Sequence, residues 1–84
     1  MNMTDELLTV EISSPDKQIW HGTAESVSSE NSAGVFDILP FHANFITIIE
    51  DKPIKIKTLD KTEEFKFANS ILYVSLNKVL IYTL

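Results

Sequence analysis

Apolar and polar residues alternate along most of this chain with a period of two. In residues 6–14, Leu8, Val10 and Ile12 fall on one face, with Thr9, Glu11 and Ser13 on the other. That is the pattern of a strand half-buried against a core. A short strand follows over 17–21, with Trp20 as its large apolar side chain and Gly22 punctuating it. Residues 23–29 alternate again, with Ala24 and Ser26 set against Glu25, Val27 and Ser29. Further strands are expected over 35–39, 44–49, 53–59, 63–68, 70–76 and 79–82. In these, Ile54, Ile56, Phe65 and Phe67 turn inward, and Lys55 and Lys57 outward. The run 44–49 is apolar at most positions and reads as a strand covered on both faces. The predicted core is Leu8, Val10, Ile12, Val27, Ile38, Leu39, Ile46, Ile48, Ile54, Ile56, Phe65, Phe67, Leu72 and Val74.

Turn formers separate these runs: Ser14-Pro15-Asp16, a loop over 30–34, Pro40, Glu50-Asp51-Lys52-Pro53, Asp60-Lys61-Thr62 and Asn77-Lys78. Strand signals recur about every 8–12 residues, and no window carries a helical stripe. The expected fold is all-β: a small β-sandwich of about eight to ten short, mostly antiparallel strands, forming one domain over 1–84.

Composition narrows the function. The 84 residues hold no cysteine, so neither a disulfide nor a thiolate metal site supplements the core. The apolar runs are far shorter than the roughly 20 residues of a spanning helix. The N-terminal segment 1–6 is polar and acidic, unlike a signal or transit peptide, and a cytosolic or membrane-peripheral protein is expected. Net charge is −5, and all seven cations are lysines. This argues against nucleic acid as a partner and against a guanidinium clamp on phosphate. It also argues against direct binding to anionic lipid.

Candidate chemistry is sparse. His21 and His42 are the only histidines and lack the partners a metal site needs. No serine sits in a nucleophile elbow, and no glycine-rich phosphate loop is present, so no cofactor is expected. Asp37 and His42 lie five residues apart across a turn and could serve a small ligand-binding or hydrolytic domain. The surface is more informative. Over 79–84, Val79 and Ile81 face one way, while Leu80, Tyr82 and Leu84 face the other, joined there by Ile71 and Tyr73. A strand apolar on both faces exceeds the needs of one core, and its second face reads as a contact patch for another protein.

The most distinctive segment is Gly34-Val35-Phe36-Asp37-Ile38-Leu39-Pro40-Phe41-His42-Ala43-Asn44-Phe45. It resembles the G-x-F/L-G-I-L-P-G-H-A-P signature of the β-domain in the epsilon subunit of F-type ATP synthases (the delta subunit in mitochondria). The likeness continues in Leu8-Thr9-Val10-Glu11-Ile12-Ser13-Ser14-Pro15, in Ile19-Trp20-His21-Gly22-Thr23-Ala24-Glu25-Ser26-Val27, in 63–74 and in Asn77-Lys78-Val79-Leu80-Ile81. The resemblance implies a β-sandwich of about ten short strands that binds the gamma subunit and the c-ring. Such a subunit couples proton flow to ATP synthesis without catalytic residues of its own. It also implies a peripheral location on the cytoplasmic side of the energy-coupling membrane, in contact with the membrane only through the complex. Carried onto this sequence, the expected contact residues are Ser14, Glu30, Asn31, Gly34, Val35, Phe41, His42, Leu80 and Tyr82. A generic β-sandwich adaptor is the alternative.

The chain departs from the family pattern at several points. Val35 stands where a polar residue is common, and Asp37 and Phe41 where glycines are usual; Ala68-Asn69 or Asn69-Ser70 replaces a glycine pair. Asp37 and Asn69 can substitute in a left-handed backbone. Phe41 implies a turn built differently or one with negative φ. Family members commonly continue into a helical hairpin that restrains ATP hydrolysis, whereas this sequence stops at Tyr82-Thr83-Leu84. The initiating Met1 and the lack of a tag favour a natural short form. The expectation is a coupling subunit without that brake, prone to self-association when isolated.

Overall fold

Period-two alternation becomes nine strands in the computed structural model, which describes residues 7–84. The expected strand start at Glu6 and the acidic segment 1–6 lie outside the described residues. The strands are β1 (Leu8–Ser13), β2 (Gln18–Ala24), β3 (Ser26–Asn31), β4 (Gly34–Ile38), β5 (Phe45–Glu50), β6 (Pro53–Lys57), β7 (Thr62–Lys66), β8 (Asn69–Ser75) and β9 (Lys78–Thr83). They form a five-stranded sheet in the order β2-β1-β9-β8-β5 and a four-stranded sheet in the order β4-β3-β6-β7. Every pairing is antiparallel except that of β1 with β9, which places Val10 beside Val79 and Ile12 beside Ile81.

The inward side chains of the two sheets meet in one core. Leu8, Val10 and Ile12 of β1, Leu72 and Val74 of β8, and Val79 and Ile81 of β9 come from the larger sheet. Val27, Ile38, Ile54 and Ile56 come from the smaller one. Each such side chain contributes about 1.5–3 kcal/mol through removal from water. The ion pairs Lys57–Glu25, Lys61–Glu63 and Lys66–Asp51 are all solvent-exposed and add little.

Several sequence expectations are corrected here. Ile46 is 67 % exposed, and Ile48 and Leu39 are also exposed. The run 44–49 is therefore covered on one face only, with Ile49 buried and Phe45 and Thr47 half-buried. The larger sheet is one of only two layers among the described residues, so its outer face, including that of β5, stays in water. Phe65 and Phe67 are only half-buried; they stack with ring centroids 6.2 Å apart at the rim of the core. Gly22 does not end a strand: β2 runs through it to Ala24, and the chain breaks at Glu25, whose N–H donates to the Lys57 carbonyl at 2.7 Å.

The left-handed positions also differ from expectation. Asp37 and Asn69 lie within β4 and β8, and neither has positive φ. The residues that adopt it are Phe41 (φ 67°), Asp51 (54°), Leu76 (51°), Asn77 (59°) and Gly34 (128°). Phe41 thus holds the left-handed backbone that glycine favours, and the negative φ expected as an alternative for this turn is not adopted.

Candidate functional site

The two sheets present opposite chemistry to solvent. On the smaller sheet, a row runs from Asp37 through Ser28 and Lys55 to Glu64. Its members are polar or charged, and Ser28 Oγ donates to Asp37 Oδ1 at 2.5 Å. On the larger sheet, Ile46 of β5 lies opposite Tyr73 of β8, which lies opposite Leu80 of β9. A second row sets Ile48 beside Ile71 and Ile71 beside Tyr82. All six are exposed. The apolar block ends abruptly at β1, where Glu11 neighbours Leu80 and Ser13 neighbours Tyr82.

This block contains the apolar face expected from the 79–84 pattern, enlarged by Ile46 and Ile48. Ile46 and Ile48, expected in the core, share parity with Glu50. A charged residue on the same side of a strand marks the solvent face, and that signal was present in the sequence.

The tip between β3 and β4 flanks the patch along the β5 edge. Asn31 Nδ2 donates to Thr47 Oγ1 at 3.0 Å, and Lys52 Nζ lies 3.9 Å from Glu30 Oε2. Together with Ser32, these residues wall a groove of about 800 Å³ whose floor is Ile46, Ile48 and Ile71. Gly34 needs its positive φ at this tight turn, where Asn31 Oδ1 accepts from the Ala33 N–H at 2.8 Å. Val35 is exposed on β4, one of the two edge strands of the smaller sheet.

The remaining expected contact residues lie elsewhere. Ser14 sits in the β1–β2 turn, at the other side of the larger sheet, where its Oγ and N–H engage Lys17. Phe41 and His42 lie in the β4–β5 loop. The His42 N–H donates to the Leu39 carbonyl at 3.1 Å, Nδ1 donates to the Ala43 carbonyl at 2.7 Å, and the ring packs 5.7 Å from that of Phe45. The structure therefore joins Glu30, Asn31, Leu80 and Tyr82 around one face, and leaves Ser14 and the Phe41–His42 pair as separate points. It does not unite Asp37 with His42: the carboxylate is bonded to Ser28 and the imidazole to its own loop. Among the described residues, no three His, Cys, Asp or Glu side chains converge on a metal-sized site.

Two back-to-back sheets, one with a solvated outer face and the other with an apolar one, define a small all-β sandwich. Residues 7–84 match the family model of the ATP synthase Delta/Epsilon chain beta-sandwich domain, and the chain belongs to that family. It is 27% identical over 84 residues to the ATP synthase epsilon chain of Chlorobaculum tepidum, spanning 99% of this chain and 96% of that one. It is 31% identical over 75 residues to the epsilon chain of Brevibacillus brevis, covering 88% of this chain but only 57% of the relative. In solved structures its fold is similar to a chain of the Euglena gracilis mitochondrial ATP synthase, with a TM-score of 0.85 at 12% identity. That match covers 93% of this chain and 51% of the Euglena chain. A chain of the Tetrahymena thermophila mitochondrial ATP synthase central stalk and c-ring superposes with a TM-score of 0.78 at 13% identity, over 92% and 63% of the two chains.

Proposed function

We propose that this protein is a non-catalytic, epsilon-type central-stalk subunit that holds gamma against the c-ring of a proton-translocating ATP synthase. The observation that carries the reading is the apolar block Ile46, Ile48, Ile71, Tyr73, Leu80 and Tyr82, left uncovered on a sandwich of this family. An apolar patch of that extent on a small acidic domain supports a role in protein association. Torque transmission asks for a body that does not deform and for adhesive surfaces on it. The two-sheet core supplies the first. The apolar block, the Glu30–Asn31 tip and the β4–β5 loop supply the second, and the protein reaches the membrane only through its partners.

Copurification tests this directly. The chain should be retained by gamma and by a gamma–c-ring assembly, and Tyr82→Lys or Leu80→Asp should reduce retention at least tenfold, the scale of a lost interface anchor. Undiminished binding by both variants would remove the sheet face from the interface. Failure of the unaltered chain to bind either partner would overturn the function and favour the generic adaptor.

A further inference from the structure

A sheet edge is a row of backbone N–H and C=O groups with no strand beside it, and it templates pairing with another chain unless it is guarded. The sandwich has four edges: β2 and β5 in the larger sheet, β4 and β7 in the smaller. Three of them are guarded. β7 carries charge at three of its five positions, Glu63, Glu64 and Lys66. β4 opens on Gly34, carries Asp37 and is soon followed by Pro40. β2 holds Gly22, and its register against β1 shifts at Ile12/Ser13. β5 differs from all three. From Phe45 to Ile49 it has no charge, glycine or proline, and its register against β8 is regular throughout.

Hydrogen-bond parity identifies the groups that β5 leaves open. The Asp51 N–H donates to the Ala68 carbonyl at 3.0 Å, one step beyond the Glu50–Asn69 pair. Bonded pairs alternate along an antiparallel ladder, so they fall at Ile49–Ser70, Thr47–Leu72 and Phe45–Val74. The far side of β8 gives the same parity. There the Leu84 N–H donates to the Asn69 carbonyl, so Asn69, Ile71 and Tyr73 turn their backbone groups to β9 and leave Ser70, Leu72 and Val74 for β5. The N–H and C=O of Ile46 and Ile48 therefore point away from the sheet, and no strand among the described residues meets them. Their side chains are exposed too, on the floor of the groove beside this edge.

We infer that β5 pairs antiparallel with β5 of a second copy of this chain, about a twofold axis at Thr47, joining the two five-stranded sheets edge to edge. The strand is its own complement. In that register Ile46 lies opposite the partner's Ile48, Phe45 opposite the partner's Ile49, and Asn44 opposite the partner's Glu50, so no like charges meet. Both Ile46–Ile48 pairs are of the bonded kind and satisfy the open groups. The apolar rows then run on from one copy to the next, Leu80, Tyr73 and Ile46 continuing into the partner's Ile48, Ile71 and Tyr82. β7 or β4 of a second copy would instead bring Glu63, Glu64 or Asp37 to an apolar strand. An isologous contact uses the same edge on both copies, and the other edges are guarded, so assembly through edges closes at two. This contact is separate from the stacking of apolar faces and does not involve gamma, so it holds or fails independently of the proposed function.

The test uses the full chain with Leu80→Asp throughout, which suppresses stacking of the faces at a site two strands away from the β5 edge. Sedimentation should show a monomer–dimer equilibrium and nothing larger. Ile48→Pro removes an N–H that points away from the sheet, so the ladder with β8 survives, and Ile48→Lys adds an edge guard. Each should weaken the dimer about tenfold or more, since the twofold axis counts every loss twice. Register is read by cross-linking, because the chain has no cysteine of its own. Cα atoms of a bonded antiparallel pair lie about 5.5 Å apart, within disulfide reach. Under mild oxidation, an Ile46→Cys chain mixed with an Ile48→Cys chain should give a disulfide-linked dimer much faster than either chain alone. A monomer at high concentration would overturn the inference, and so would a dimer that survives Ile48→Lys unchanged or cross-links no faster in the mixture. Should Ile48→Pro fail to fold, the lysine variant, at an exposed side chain, and the cross-link decide the matter.

Discussion

The indole of Trp20 lies over the backbone of Gly22, so that a Cβ atom on Gly22 would come within 2.8 Å of the ring. The side chain folds along its own strand and packs against the core, with its ring 6.3 Å from that of Phe65. Glycine is required at this position by the close approach and not by a turn. Gly22→Ala should displace the indole and destabilise the domain by ~1–3 kcal/mol, as overpacking does. Thermal melting would measure the loss, and a shift in tryptophan emission would show the ring moving. An unchanged spectrum with unchanged stability would mean that the ring does not depend on the missing Cβ.

Burial ranks the core substitutions differently from apolar bulk. Leu72 is fully buried between β5 and β9, whereas Phe67 is half-buried at the rim. Leu72→Ala should cost ~2–5 kcal/mol, and Phe67→Ala should cost less despite removing more atoms. Denaturant unfolding of the two variants side by side would reverse this ranking if Phe67 were a true core residue.

The apolar face predicts behaviour of the isolated domain. Unoccupied, it should drive concentration-dependent association, visible by sedimentation. Leu80→Asp, next to Glu11 on the same row, should suppress association and leave the fold intact, because both its neighbours across the strands already face solvent. A monomer at high concentration before substitution would show that the face is not self-adhesive.

His42 is held by its own loop and by Phe45. His42→Ala should lower the melting temperature by only a few degrees, since a ring contact and one hydrogen bond at a partly exposed site contribute about 1 kcal/mol. On the proposed function it should also weaken gamma binding, since the β4–β5 loop is one of the proposed contact surfaces. Unfolding on this single change would assign His42 to structure alone.

Much of this architecture was legible because its strands alternate cleanly. Nine strand segments were readable from parity and turn residues, and most inward positions of β1, β6, β8 and β9 followed directly. Parity failed where both sides of a strand are apolar. In β5, Ile46 and Ile48 differ from the buried Ile49 only by the direction each side chain takes, and the side of Glu50 decides it. Burial depth was equally hidden for Phe65 and Phe67, because an inward side chain at a rim and one at the centre share the same parity. The hydrogen bond from the Phe41 N–H to Asn77 Oδ1, which ties the β4–β5 loop to the β8–β9 turn, was not legible. It joins residues 36 positions apart through a side chain acting on a backbone N–H, and no local pattern encodes such a contact.

The parallel pairing of β1 with β9 sets a schedule on the making of this protein. β9 occupies the centre of the larger sheet, between β1 and β8, so that sheet cannot close until residues 78–83 have been synthesised. Pairing the earliest described strand with the last is a long-range closure of the kind that slows folding. The same late segment carries Leu80 and Tyr82 of the apolar block, and the turn before it carries Leu76 and Asn77. A nascent chain therefore completes its apolar block only with the segment that closes its core, so exposure of the finished face and closure of the fold arrive together.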